Sequence, residues 1–262
     1  MSLFSKFLIL AFKEKYIYRF DFYISILASI LVILVQINVW EALYKGNSVD
    51  SASLKQMITY VLLSSIIFSL TRSEAGNKIG RKVEDGSIIS DFTRPVNFRS
   101  YLFAEDLGNN FFQVLFISLP AVTIVSIFFG FSWEGDLVTL SIFLLSLVLG
   151  VIISFYIKYI IGMFAFWLET SWYIPFFVGA IFELFSGSTI PLWFFPDWLS
   201  AISSLLPFRL IFFEPISIFL NKYSYVDSFS IICTQITWLV LLVIFEKILW
   251  FNAQKKVVIH GG

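Results

Sequence analysis

The sequence is short of the residues on which most catalytic chemistry depends. It has a single cysteine, Cys233, and a single histidine, His260. One thiol excludes an internal disulfide and a thiolate-bound metal cluster. One imidazole, in the tail, leaves little for histidine-based catalysis or metal binding. Charge is scarce too. Asp, Glu, Lys and Arg make up 14 % of the 262 residues, where a soluble domain spends roughly a quarter on its shell. The 18 basic and 18 acidic residues cancel, so no net charge draws the chain to nucleic acid. No G-x-x-x-x-G-K-[ST] phosphate loop occurs. The nearest approach, Gly76-Asn-Lys-Ile-Gly80-Arg81-Lys82, has the wrong glycine spacing and follows an apolar run instead of a strand. No A-x-A site follows the apolar first dozen residues, so a cleavable signal peptide is not expected.

Apolar residues are what the chain has in excess, 58 % of the total, and they come in blocks. A membrane-spanning helix needs about 20 of them in succession. Six runs qualify or nearly so: residues 22–43, 57–70, 110–129, 137–157, 172–190 and 229–249. The second is short and extends back past Lys55, whose amine can reach the interface. The third carries Pro120, an expected kink. Barrel strands read as short alternating segments, whereas these runs are continuous, so the expected fold is all-α and polytopic, one membrane domain over 1–262 with six transmembrane helices.

Basic residues set the expected orientation. Lys6, Lys13, Lys15 and Arg19 precede the first run. Arg72, Lys78, Arg81, Lys82, Arg94 and Arg99 lie between the second and third. Lys158 follows the fourth, and Lys247, Lys255 and Lys256 end the last. The other side holds Lys45, Lys55, Arg209 and Lys222. The asymmetry predicts both termini in the cytoplasm. Phe4, Phe7, Leu8 and Ala11 form a stripe at helical spacing, which predicts an amphipathic helix lying in the interface before the first span. Residues 186–227 are apolar yet broken by Pro191, Pro196, Pro207 and Pro215. That combination predicts short helices that dip into the membrane and return.

Residues 72–99 are the one sizeable polar segment on the basic side. Ile79 and Val83 repeat at helical spacing, Asp85-Gly86 is a turn signal, and Ser87 or Asp85 can cap a second short helix bearing Ile88 and Phe92. Pro95 ends it. Such an elbow either inserts into a groove on a partner or is a solvated connector whose charges set topology. The residues alone leave both open.

A family resemblance separates the two. Val83-Glu-Asp-Gly86-Ser-Ile88-Ile-Ser-Asp-Phe92-Thr-Arg94-Pro95-Val96 resembles the hydrophobic-x-x-Gly-x-Ile … Leu-x-Arg-Pro signature of ABC-2 transporter permeases. More narrowly, it resembles the branch long labelled an uncharacterised ABC transport system permease. Ser186-Gly187 … Pro191-Leu … Pro196-Asp-Trp198-Leu … Leu206-Pro207-Phe208 is similar to that family's motif after the fifth span. Phe92 departs from the usual Leu. The resemblance implies that Ile79, Val83, Gly86, Ile88, Phe92, Arg94 and Pro95 belong to a coupling helix seated on an ATP-binding subunit. Two such subunits, carrying ATP and Mg, would serve a pair of permeases, the second a related chain or a copy of this one. The chain itself would bind no cofactor and would not be an enzyme. Membrane lipids would be its remaining partners. Its substrate, amphipathic or hydrophobic, would move outward across the cytoplasmic membrane, with the re-entrant segment as outer gate. Gate or pathway candidates are Glu183, Gly187, Pro191, Pro196 and Pro207.

Among other polar residues, Glu183 reads as the one clear intramembrane acid, which either acts in the pathway, pairs with Arg209, or reaches the interface. Lys158 and Glu169 read as interfacial anchors. Asn109, Asn110 and Gln113 read as the polar start of the third span. The alternatives to an ABC permease are an ion-coupled secondary transporter and a membrane-embedded lipid-modifying enzyme. The scarcity of acids within the spans opposes the first, and the lack of a nucleophile–base arrangement opposes the second.

Overall fold

A computed structural model describes residues 3–15, 19–46, 52–92, 97–168 and 173–260, and among these every regular element is a helix. Five are long and apolar enough to cross a membrane: Phe22–Lys45, Leu54–Glu84, Phe98–Phe129, Leu137–Phe166 and Tyr225–Lys256. A bent pair, Asp197–Ser204 with Phe208–Phe219, turns by 77° and raises the count to six when taken as one span. The helices are α1 (Leu3–Lys15), α2 (Arg19–Gly46), α3 (Leu54–Thr71), α4 (Ala75–Glu84), α5 (Ile88–Phe92), α6 (Phe98–Gln113), α7 (Leu119–Phe129), α8 (Leu137–Met163), α9 (Tyr173–Ser186), α10 (Asp197–Ser204), α11 (Phe213–Phe219) and α12 (Tyr225–His260).

The long helices are apolar on the outside as well as within. On α2, Leu27, Leu31, Val35 and Val39 form an exposed stripe, while Ile33, Ile37 and Trp40 on the other side are buried. A helix apolar all round has lipid as the natural solvent for its outer face. Ile33 and Ile37 pack with Met57, Leu62 and Val125 into a core shared by α2, α3 and α7. A second core joins Tyr60 and Ile67 of α3, Ile153 of α8 and Phe212–Phe219. A third, at the opposite end, joins Ile79, Ile88, Phe98, Phe155 and Tyr159.

Two sequence expectations are revised. Within the run over 172–190 the described helix is the 14-residue α9, about 21 Å long, against about 30 Å of hydrocarbon. It stops at Ser186 because Gly187 turns the chain at φ 76°. The helix containing Asn110 starts at Phe98, so Asn110 lies well inside it instead of at its start. Pro120 follows a π-turn at Val114–Ser118, which leads directly into α7. Widening the turn ahead of the proline accommodates its ring and its missing N–H.

The stripe on α1 packs along α6. Ala11 is buried, Phe7 meets Tyr101 edge-on at 4.8 Å, and Phe12 meets Phe112 at 5.6 Å. Gly108 makes this contact possible, since a Cβ there would stand 2.3 Å from the Leu8 carbonyl oxygen. Gly108→Leu is therefore expected to separate α1 from α6 at a cost of about 1–3 kcal/mol. Faster tryptic cleavage at the exposed Lys13, with the rest of the chain still protected, is the outcome to look for.

Asp136 caps α8, accepting the Thr139 N–H at 2.8 Å, and takes the Tyr225 hydroxyl at 2.8 Å, tying the start of α8 to that of α12. These bonds, the Thr139 N–H first, hold its carboxyl down to about 2 from an ordinary 3.8. A depressed carboxylate contributes fully above its unfolded pKa and loses that contribution as pH falls through the folded one. Thermal unfolding of the wild type should thus lose stability between about pH 4 and pH 2 in excess of Asp136→Asn, with no difference in slope above pH 5.

Candidate functional site

Between α3 and α4 the chain breaks over Arg72–Glu74. The last carbonyls of any helix lack intrahelical partners, and inside a membrane domain they need them from protein. Two neighbouring helices supply them. Asn110 of α6 donates its amide to the carbonyls of Leu70 and Arg72, both at 2.7 Å. Lys158 of α8 donates to the Thr71 carbonyl at 2.6 Å, and Ser154 donates to the same oxygen at 3.3 Å. The first N–H groups of α4 are met from the other side. Asp106 accepts the Glu74 N–H at 3.3 Å and holds the Ser73 hydroxyl, which in turn accepts the Ala75 N–H at 3.2 Å. Lys78 pairs with Glu105. The joint is thus clamped by α6 on one side and α8 on the other.

Two glycines bring α4 onto α8. A Cβ on Gly162 would lie 2.5 Å from the Gly76 Cα, and one on Gly76 would lie 2.7 Å from the Lys158 carbonyl oxygen. With no side chains between them, the two backbones touch. Further along, Ile79 is fully buried against Phe155, Tyr159 and Met163, with Val83 packed at the margin. The elbow then turns. Gly86 has φ 74°, open to glycine but costly for other residues, and Asp85 accepts the Ser87 N–H at 2.9 Å. Hydrogen bonds from Ser87 hold the Asp85 carboxyl below its ordinary range. Ile88 is buried in the same core as Ile79, and Lys82 pairs with the buried Asp91. The apolar face of the elbow is therefore used against the protein's own helices. Arg81, Glu84, Asp85, Gly86, Ser87 and Ile89 remain on the exposed side. The Phe92 side chain, Arg94 and Pro95 lie outside the described residues, as does Glu169.

The proline-rich segment gathers at the other end. Tyr60 donates its buried hydroxyl to the Gly187 carbonyl at 2.6 Å. Trp193 packs edge-on against Tyr60 and Phe213, and a Cβ on Gly187 would press to 2.9 Å from that of Phe213. Pro191, Pro196 and Pro207 each stand immediately before a helical turn: Leu192–Phe194, α10 and Phe208–Leu210. Their fixed φ starts these turns as much as it interrupts a longer helix. Lys222 reaches Gln56 at 3.0 Å, and Gln235 of α12 donates to the Leu210 and Ser146 carbonyls at 2.8 and 3.0 Å.

Of the three readings open for Glu183, pairing with Arg209 is not observed. Arg209 binds Glu214 at 3.2 Å. Glu183 is exposed and takes the Thr189 hydroxyl at 3.4 Å. Nor is Glu183 the main intramembrane acid: Glu214, Asp106 and Glu246 are all more deeply buried. Glu214 follows a run of apolar residues and had the signal of an acid in such a run, hidden by the prolines that made the segment read as broken. Burial and the neighbouring Glu214 carboxylate push the Tyr223 phenol upward. Lys158, expected as an interfacial anchor, also caps α3 through the Thr71 carbonyl. Asp106 and Tyr60 had no distinguishing signal. Among the described residues no cluster of three His, Cys, Asp or Glu side chains stands ready for a metal.

Spanning helices with a clamped, charged elbow at one end and a folded-back, proline-started segment at the other define a polytopic membrane protein. A family model described as ABC-2 family transporter protein matches residues 19–261, and the chain belongs to that family. It is thus a membrane permease of an ABC transporter, and membership implies association with an ABC ATP-binding subunit. No curated protein and no solved structure matches it.

If Asn110 caps α3 as described, Asn110→Ala leaves two carbonyls short of donors and should cost about 1–3 kcal/mol. Asn110→Asp keeps the shape and removes the donors, so its unfolding midpoint in detergent should drop equally. An unshifted midpoint for the aspartate variant would remove the donors from the account.

Proposed function

We propose that this permease is the membrane half of an ATP-driven exporter in the cytoplasmic membrane, with both termini cytoplasmic. ATP and Mg would be bound, and ATP hydrolysed, on a separate subunit. Two such subunits would dock on two permeases, the second a related chain or another copy of this one. The basic residues gathered near α1, α4 and the end of α12 support that orientation.

The observation that carries the reading is the clamped joint between α3 and α4. A coupling element must receive a push outside the membrane and deliver it within. Ile79, Val83 and Ile88 lock the elbow onto α6 and α8, and the three α3 carbonyls are held by the same two helices. Closure of the ATPases would therefore move α4, α6 and α8 together. Gly86 sets the exposed tip, and Phe92, Arg94 and Pro95 would complete the seat. Gly187, Pro191 and Pro207, beside the Tyr60 bond and the Arg209–Glu214 pair, would form the outer gate, with Pro196 starting its rim helix and Glu183 in the pathway below. The buried acids suit this reading better than ion coupling: Asp106 is occupied by Ser73 and Glu74, and Glu214 by Arg209.

Pull-down of the tagged chain from native membranes in mild detergent should bring an ATP-binding cassette subunit with it. Gly86→Val places a β-branched residue at positive φ, a strain of about 1–3 kcal/mol. It should reduce the captured ATPase several-fold while leaving the permease monodisperse. Absence of any such subunit from the wild-type pull-down, or capture unchanged by Gly86→Val together with Ile89→Glu, would contradict the proposal.

A further inference from the structure

A cavity of about 490 Å³ opens beside the joint, between the end of α3, the start of α4, α8 and α9. That volume is in the range of small-molecule sites. Its walls are mainly apolar, with Phe68, Ile157, Ile161, Phe176 and Phe182 among them. Lys158 also lines it. The ammonium stands 5.3 Å from the Phe182 ring centroid and makes one hydrogen bond, to the Thr71 carbonyl. Lys78, Lys82, Arg99 and Arg209 each have a carboxylate partner. Lys158 has none within ion-pair distance among the described residues. Glu183, on the same wall, is exposed and turned to Thr189.

A cation among apolar side chains is costly unless something neutralises it. An ammonium has three donors, and the joint uses one. We propose that the cavity takes the head of an anionic amphiphile, its phosphate- or carboxylate-type group held by Lys158 and its chain lying against the phenylalanines. Its role as cargo rests on the exporter reading. The same ammonium caps α3, so a bound anion draws on the group that holds the coupling joint. Occupancy is thereby felt where the elbow meets the spans.

The test is equilibrium binding of radiolabelled dodecyl phosphate to the full chain in phosphatidylcholine nanodiscs. Saturable binding should weaken about tenfold or more in Lys158→Gln, the loss of one charge-assisted bond, and be largely restored in Lys158→Arg. Gly179→Trp provides a variant that leaves the joint intact. Gly179 lines the cavity, and a Cβ there meets nothing within 4 Å, so the indole should block binding without disturbing the fold. Dodecyltrimethylammonium should not compete, and neither should inorganic phosphate. Equal binding by Lys158→Gln and Gly179→Trp would overturn the site, and competition by inorganic phosphate alone would reduce it to a free-anion site and overturn the amphiphile. The pull-down of an ATPase separates this from the exporter reading. Lys158-dependent binding without an ATPase partner leaves the site and removes its role as cargo, whereas an ATPase partner without Lys158-dependent binding removes the site alone.

Discussion

Three carbonyl groups at the end of α3, those of Leu70, Thr71 and Arg72, have no partners in their own helix. Their hydrogen-bond partners come from Asn110 and from Lys158 with Ser154. That requirement fixes how α6 and α8 stand against α3. It also gives Asn110 on α6, and Ser154 and Lys158 on α8, a structural role. Once the carbonyls are held, the chain can leave the span at Ser73, start α4 on Asp106, and lay Gly76 directly on Gly162. The elbow is then an extension of the spans instead of a loop hung from them.

The opposite end solves a related problem by other means. Backbone between α9 and α12 leaves the helical ladder several times, and each departure is matched locally. Tyr60 takes the Gly187 carbonyl and Gln235 takes that of Leu210. The ion pair Arg209–Glu214 lies within the same folded-back segment. Lys222 over Trp193 at 5.4 Å adds a contact across to α3 through Gln56. Both ends of α3 are thus tied by side chains to distant parts of the sequence. That arrangement suits a helix on the proposed route between the elbow and the gate.

Much of this was legible in the sequence because membrane spans depend on run length and composition, which need no tertiary information. The elbow was legible as well, since the spacing of Ile79 and Val83 and the Asp85-Gly86 turn are local signals. The direction of its apolar face was not. Amphipathic spacing shows that a face exists, while only packing shows that Ile79 and Ile88 turn inward. The same limit governs the polar residues. Asn110, Lys158 and Asp106 serve backbone groups 32 to 87 positions away, and pairings at such separations leave no trace in local pattern. In the sequence Gly187 stands out as part of a family motif and as a gate candidate. Its positive φ, which stops α9 short, and its close approach to Tyr60 and Phe213 are features of the fold alone.

The central claim is that the elbow and α8 form one lever. A pulsed dipolar distance between spin labels at Arg81→Cys on the elbow and Leu137→Cys at the far end of α8, in a Cys233→Ser background, measures it directly. In the assembled complex, trapped before and after nucleotide binding, the account predicts superimposable distance distributions. A second, nucleotide-dependent population would mean that α4 swings independently of α8, and would contradict it.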